Sequence, residues 1–74
     1  MTLDRLKPHQ KALIRAIQCK QPARGKLMDL GLVPGAAVTY VRSAPYGAGC
    51  QIEVKRTQLM LRDDVAKEIE VQLA

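Results

Sequence analysis

The sequence predicts a small, mainly β protein: an antiparallel barrel of about five short strands. One short helix is expected between the first and second strands, and a single helical turn before the last strand. Two observations support this fold class: several short segments alternate apolar and polar residues, and turn-forming sequences rich in glycine and proline separate them. A chain of 74 residues has room for one domain, residues 1–74, with a small core. A closed barrel suits such a chain because closure removes exposed sheet edges.

A short helix between Pro22 and Gly31 is the element around which the rest of the chain is organised. Pro22 suits the first helical position, where its missing N–H costs nothing. Gly31 suits the left-handed residue that follows the last helical turn. Helical spacing predicts an apolar arc on one side of the helix, formed by Ala23, Leu27, Met28 and Leu30.

The end of this helix is predicted to be a tight reversal of the chain. In a Schellman ending, Leu32 would pack back against Leu27. Residues 33–36 then form a type II turn, because Pro34 presets the φ of the first central residue and Gly35 accepts the positive φ of the second. The reversal therefore leads directly into the strand that begins near Ala36.

The strands are predicted from alternation. The clearest is residues 50–56, with Cys50, Ile52 and Val54 facing inward. In residues 11–18 the apolar Leu13 and Ile17 interrupt the alternation, which indicates either a bulge or burial on both faces. The remaining strands are expected at residues 36–43, 59–61 and 69–73.

The connections are predicted from turn chemistry. Residues 7–10 and 44–49 contain the prolines and glycines typical of turns. A further turn at residues 57–58 would join the third and fourth strands. Asp63 is expected to cap the helical turn at residues 64–68. At the N-terminus, Leu3 and Leu6 are expected to lie at the edge of the core.

Composition limits the classes of function. Twelve Lys and Arg against seven Asp and Glu give a net charge of +5, but the cations are scattered singly, which favours a solvated surface or a protein partner over nucleic acid. The chain has neither an apolar run long enough to cross a bilayer nor a signal-peptide core, so a cytoplasmic protein is expected. Cys19 and Cys50 are expected to be free and mostly buried thiols.

Four segments together resemble one known family. These are residues 27–35 (LMDLGLVPG), 44–47 (APYG), 59–62 (LMLR) and the Ile69-Glu70-Val71 stretch after Ala66. Over essentially the whole chain the sequence resembles FeoA, the small cytosolic component of bacterial ferrous-iron uptake. The resemblance implies an SH3-like barrel, a fold that also resembles the C-terminal domain of DtxR-type metal-dependent repressors. It further implies a protein that assists the FeoB membrane GTPase-transporter by protein contact.

Neither a resident metal, nor a cofactor, nor catalysis is expected. A transition-metal site needs three or four converging ligands, whereas the chain has one histidine, His9, in a predicted turn and two isolated cysteines. Catalytic triads and acid–base pairs are not supplied either. A small basic barrel that binds nucleic acid, or acts as a metal-responsive regulatory module, stays open as the alternative. It is weakened because Tyr40 is expected in the core, which leaves only Tyr46 for stacking on bases.

Protein docking has the best candidate residues, because apolar side chains on loops indicate use as a contact surface. The candidate apolar residues are Leu32, Val33, Pro34, Pro45, Tyr46 and the outward-facing Met60. Three cations, Arg24, Lys26 and Arg62, could steer the protein toward an acidic GTPase surface. The competing interpretation is that Leu32 and Val33 close the end of the barrel, and we expect this for at least one of them.

Overall fold

The computed structural model describes residues 1–74 and contains five strands and two helices. In chain order these are β1 (Lys11–Ile17), α1 (Ala23–Asp29), β2 (Ala37–Ser43), β3 (Gly49–Val54), β4 (Thr57–Arg62), α2 (Asp63–Ala66) and β5 (Ile69–Leu73). Short 3-10 turns lie at Leu3–Arg5 and Pro45–Gly47. The predicted mainly β class, with five strands and a helix between the first two, is confirmed.

All five strands belong to one antiparallel sheet with the order β4-β3-β2-β1-β5. The register shifts between Ile14 and Ala16 where β1 pairs with β5, and between Tyr40 and Arg42 where β2 pairs with β3. These bulges bend the strands that carry them. β4 and β5 do not pair with each other; α2 contacts β3, β4 and the Leu3–Arg5 turn instead. The expectation that closure removes the sheet edges is therefore wrong.

The core consists of sixteen buried residues, and none of them is charged. It includes the inward face predicted for β3, namely Cys50, Ile52 and Val54, and Tyr40 of β2, also expected in the core; Val38 of β2 lies beside them. In β1, Ala12 and Ile14 are buried on either side of the exposed Leu13, and the alternation breaks at the register shift before the buried Ile17, so the bulge is the correct interpretation of its sequence. Leu3 and Leu6 are both buried, and Leu3 is completely so.

The reversal after α1 has the predicted geometry. The Leu32 N–H donates to the Leu27 carbonyl at 3.1 Å and the Gly31 N–H to the Met28 carbonyl at 3.0 Å, which are the two bonds of a Schellman ending. Gly31 has a φ of +102° and Gly35 a φ of +91°. The turn then closes with the Ala36 N–H donating to the Val33 carbonyl at 3.0 Å.

The apolar arc predicted for α1 contacts the core through one residue only. Only Leu27 is buried, whereas Ala23, Met28 and Leu30 are exposed. A helix of seven residues makes only about two turns, so one row of side chains reaches the barrel. Pro22 also precedes the first helical residue instead of occupying that position.

Two further connections differ from the prediction. The turn between β3 and β4 is Lys55-Arg56, with φ values of +49° and +66°, and Thr57 already pairs with Val54. Two-residue turns of this geometry normally contain asparagine or glycine. Lys55 and Arg56 are neither, so nothing in the sequence marks these two residues as a turn. Asp63 does not cap α2: it is the first helical residue, and its carboxylate accepts a 3.1 Å bond from Lys67.

Gly49 is a position at which a side chain cannot be accommodated. Its φ is +138°, and a Cβ added there would lie 1.9 Å from the Leu61 carbonyl oxygen. We expect Gly49→Ala to lower the free energy of unfolding by at least about 3 kcal/mol. Gly47 in the same loop is the matched control, because its φ is +68° but no atom lies within 4 Å of its added Cβ. Gly47→Ala should cost about 1–2 kcal/mol. If urea unfolding shows equal losses of stability for the two variants, the steric clash inferred at Gly49 is wrong.

Candidate docking surfaces

The predicted docking residues lie at two opposite ends of the sheet. Val33 and Pro34 precede β2, whereas Pro45 and Tyr46 follow it. The seven residues of β2 span about 20 Å at ~3.3 Å per residue, and the longest dimension of the molecule is 27 Å. The predicted site is therefore two separate surfaces.

The first surface, called here the α1 surface, surrounds the helix and the reversal that follows it. Its exposed apolar members are Met28, at 37 %, and Leu30, at 48 %. The half-buried Val33 and the exposed Pro34 and cations Arg24 and Lys26 complete it. The β3–β4 turn borders this surface, because a Cβ placed on Gly31 would lie 3.6 Å from Lys55 Cδ.

Leu32 does not belong to the α1 surface. Its side chain is completely buried in the same core cluster as Leu27, and a hydrophobic contact of this kind often accompanies a Schellman ending. The interpretation that at least one of Leu32 and Val33 closes the barrel end is therefore confirmed for Leu32, and Leu32 is removed from the docking candidates.

The second surface lies at the loop between β2 and β3. Tyr46 is fully exposed and has left-handed backbone angles, φ 62° and ψ 25°, which are uncommon for an aromatic residue. Arg62 lies beside this loop because it pairs with Gly49. Met60, 60 % exposed, precedes it on the same face of β4. Arg62 forms an ion pair of 3.6 Å with Asp64, but both side chains are well exposed, so the pair contributes little stability.

A cleft of about 200 Å³ lies beneath this loop. Its lining includes five side chains with polar or thiol groups: Asp4, Tyr40, Ser43, Cys50 and Asp63. Four of them already have partners inside the protein. The hydroxyls of Tyr40 and Ser43 share a 2.8 Å hydrogen bond, Thr2 donates to Asp4, and Lys67 pairs with Asp63. The remaining group is the Cys50 thiol.

Burial, together with the negative charges of Asp4 and Asp63, raises the pKa of the Cys50 thiol to about 11. The thiol is therefore protonated at neutral pH, and a protonated thiol is neither a nucleophile nor a metal ligand. Cys19 is only half-buried, and burial followed by the charge of Glu68 raises its pKa. Both thiols are free, as predicted, although only Cys50 is buried.

The side chains that could ligate a metal are dispersed. No three His, Cys, Asp or Glu side chains converge to hold an ion. His9 lies in an exposed turn with a φ of +71°, and its backbone N–H donates to the Tyr40 carbonyl at 2.6 Å. Neither helix has the length and apolar character needed to cross a bilayer.

Comparison with known proteins identifies the family. The FeoA domain model matches residues 1–73. The chain belongs to the FeoA family. A Campylobacter jejuni member, provisionally named Fe(2+) transport protein A, is 32 % identical over 73 residues, which cover 99 % of each chain. The family is an accessory component of ferrous-iron transport, not a known enzyme family.

Solved structures of family members share the fold. FeoA of Chlorobium tepidum superposes with a TM-score of 0.93 at 33 % identity, over 99 % of this chain and 70 % of that one. The zinc complex of Stenotrophomonas maltophilia FeoA, described as an SH3 domain protein, gives 0.84 at 30 % identity, over 97 % and 89 % of the two chains. The predicted SH3-like fold is confirmed.

The fold also extends to metal-dependent regulators. The manganese regulator SloR superposes with a TM-score of 0.85 over all of this chain and 34 % of that one. At 18 % identity this likeness concerns the fold alone, and the resemblance to repressor C-terminal domains is confirmed at that level.

The two thiols should differ in reactivity toward an alkylating reagent. A pKa of about 11 in place of the ordinary 9.0 lowers the thiolate fraction near pH 8 by about a hundredfold. We expect a Cys19→Ser variant to be alkylated at Cys50 at least about a hundredfold more slowly when folded than in urea. Equal alkylation rates in the folded and unfolded states would contradict the burial of this thiol.

The same shift makes the stability of the fold depend on pH. Because the folded state holds the Cys50 proton more tightly than the unfolded state, the free energy of unfolding should fall as pH rises from 9 toward 11.

Proposed function

We propose that this protein acts in bacterial ferrous-iron uptake as a cytoplasmic accessory subunit. In this role it docks by protein contact to a FeoB-type membrane GTPase-transporter and modulates the assembly or activity of that transporter. The match to the FeoA domain over residues 1–73 is the observation that carries the proposal. The S. maltophilia relative, described as a candidate activating factor for ferrous-iron transport, supports the same role.

The α1 surface is the docking contact in this proposal. Met28 and Leu30 expose apolar side chains on a helix that buries only Leu27. The two side chains lie on either side of Leu27 and nothing in the chain covers them, so a partner that packs on this helix can bury both. Arg24 and Lys26 on the same helix supply positive charge beside them, which would steer the protein toward an acidic partner.

Binding to nucleic acid is less well supported by the structure. Stacking platforms use several exposed aromatic side chains beside a basic groove. The chain has two tyrosines and neither tryptophan nor phenylalanine, and Tyr40 is buried with a relative exposure of 4 %. One aromatic side chain, that of Tyr46, therefore remains for contact with bases.

Substitutions on the α1 surface should weaken binding to the detergent-solubilised transporter. We expect the double variant Met28→Gln and Leu30→Gln to lose at least about tenfold in affinity, because apolar contacts at an interface centre dominate its energy. Both side chains are exposed, so the thermal melt should stay nearly unchanged. The matched control is Tyr46→Gln, which removes an exposed side chain about 20 Å away and should bind within about twofold of the wild type.

The same titration separates the two surfaces. Loss of binding by Tyr46→Gln, with the double variant unaffected, would place the contact at the β2–β3 loop and contradict the assignment to α1. The absence of binding by the wild-type chain in every nucleotide state, together with salt-dependent retention on nucleic acid, would contradict the proposed function itself.

A further inference from the structure

The two edges of the sheet are treated differently by the chain. At β5, the first residues of the chain cover the edge: the Val71 N–H donates to the Met1 carbonyl at 2.7 Å, and Thr2 forms a bridge with Glu70. The Met1 ammonium also pairs with the Glu70 carboxylate at 3.0 Å. At β4, no backbone hydrogen bond other than those of the β3–β4 ladder reaches any of its residues. The β4 edge is therefore free.

The antiparallel pattern determines which residues of β4 point to the free edge. Alternate residues bond to the neighbouring strand, and the two-residue turn makes Val54 and Thr57 a bonded pair. Gly49, at the other end of β3, directs its carbonyl toward β2 and accepts the Ala44 N–H at 2.8 Å. Its partner Arg62 is therefore not bonded to β3. The backbone N–H and C=O groups that face the free edge are those of Gln58, Met60 and Arg62.

β4 lacks most of the features that protect sheet edges. Proteins block such edges with proline, bulges or a covering segment. The six residues of β4 contain no proline and pair with β3 without a register shift, whereas the β1–β5 and β2–β3 pairings both carry one. The side chains of Gln58, Met60 and Arg62 are all exposed. A regular, open edge of this kind is a template for an added strand.

Charge indicates what kind of strand would fit. Lys55 and Arg56 precede β4 in the turn, and Arg62 ends it. If two copies paired antiparallel through β4, each Arg62 would lie near the Arg56 end of the other copy, and like charges would repel. Asp64, 3.6 Å from Arg62, offsets charge at that end, whereas neither Lys55 nor Arg56 forms an ion pair, so the turn end of the edge is the more strongly cationic. An acidic strand would meet cations at both ends of the edge.

We propose that the free edge of β4 binds an extended acidic segment of a partner protein, which adds to the sheet as another strand. This inference rests on the proposed function in that the partner is the protein to which the chain docks. The α1 surface and the β4 edge adjoin, because Gly31 lies beside Lys55 at the start of the turn into β4. One partner can therefore contact α1 and continue along β4.

The first test uses a synthetic peptide of about eight residues that alternates threonine or valine with glutamate, long enough to pair with the six residues of β4. Titrated into the isotopically labelled full chain, it should shift the amide signals of Gln58, Met60 and Arg62 most strongly. A peptide with lysine in place of glutamate, and one N-methylated on alternate amides, should each bind at least about tenfold more weakly. Shifts centred on α1, on the β2–β3 loop or on β5 would overturn the proposal.

A substitution in the chain tests the backbone contact directly. Met60→Pro removes an N–H that faces the free edge, a position at which proline is tolerated in edge strands, and should weaken peptide binding at least about tenfold. Met60→Val is the matched control, because it changes the same side chain and keeps the N–H. Equal affinities of the two folded variants would overturn the proposal. If Met60→Pro does not fold, the N-methylated peptide tests the same backbone hydrogen bonds on the wild-type chain. Binding equal to that of the unmethylated peptide would then overturn the proposal.

Two outcomes separate this inference from the proposed function. If the transporter binds Met60→Pro as tightly as Met60→Val, the docking stands and the strand addition is overturned. If the wild-type chain captures the acidic peptide at β4 but does not bind the transporter, the strand addition is supported and the docking partner is wrong. If the β4 amide signals shift with protein concentration in the absence of peptide, the edge pairs with a second copy of the chain. That result would overturn the proposal that an acidic segment of another protein occupies it.

Discussion

The reversal at Leu32 is the constraint on which the rest of the structure depends. Leu32 is completely buried. Its N–H donates to the Leu27 carbonyl and so terminates α1. The same turn is fixed to β1, because the Gly35 N–H donates to the Ile14 carbonyl at 2.7 Å and the Ile14 N–H to the Ala36 carbonyl at 2.9 Å. These bonds set where β2 begins against β1. They also leave Met28 and Leu30 exposed, because the helix ends before a second apolar row can reach the barrel.

The parts of the fold that local chemistry determines could be predicted from the sequence. A proline and a glycine at fixed positions define the turn at residues 33–36, and alternation defines the inward face of β3. Prediction failed where tertiary contacts override local preference. Lys55 and Arg56 adopt left-handed angles because the pairing of β3 with β4 requires a two-residue turn. The Asp63 prediction failed for a local reason: α2 begins one residue earlier than expected, so Asp63 is its first helical residue and pairs with Lys67 one turn further along.

The candidate site was predictable residue by residue but not as an arrangement. The sequence correctly predicts that Pro34 and Tyr46 on loops and the outward-facing Met60 on β4 are exposed, yet it carries no signal for the distances between them. That distance depends on β2, which separates the two turns by about 20 Å. The free edge of β4 likewise follows from the strand order and from the N-terminal residues that cover β5, neither of which periodicity reveals.

Amide hydrogen exchange on the complex between the full chain and the solubilised transporter tests the central claim most directly. Our account predicts that transporter binding slows exchange along α1 and at the outward amides of Gln58 and Met60, and changes exchange at Tyr46 in the β2–β3 loop much less. Exchange in free protein at these β4 amides should be fast, because they have no partner within the chain. Protection confined to the Tyr46 loop or to β5, with α1 and β4 unaffected, would contradict it.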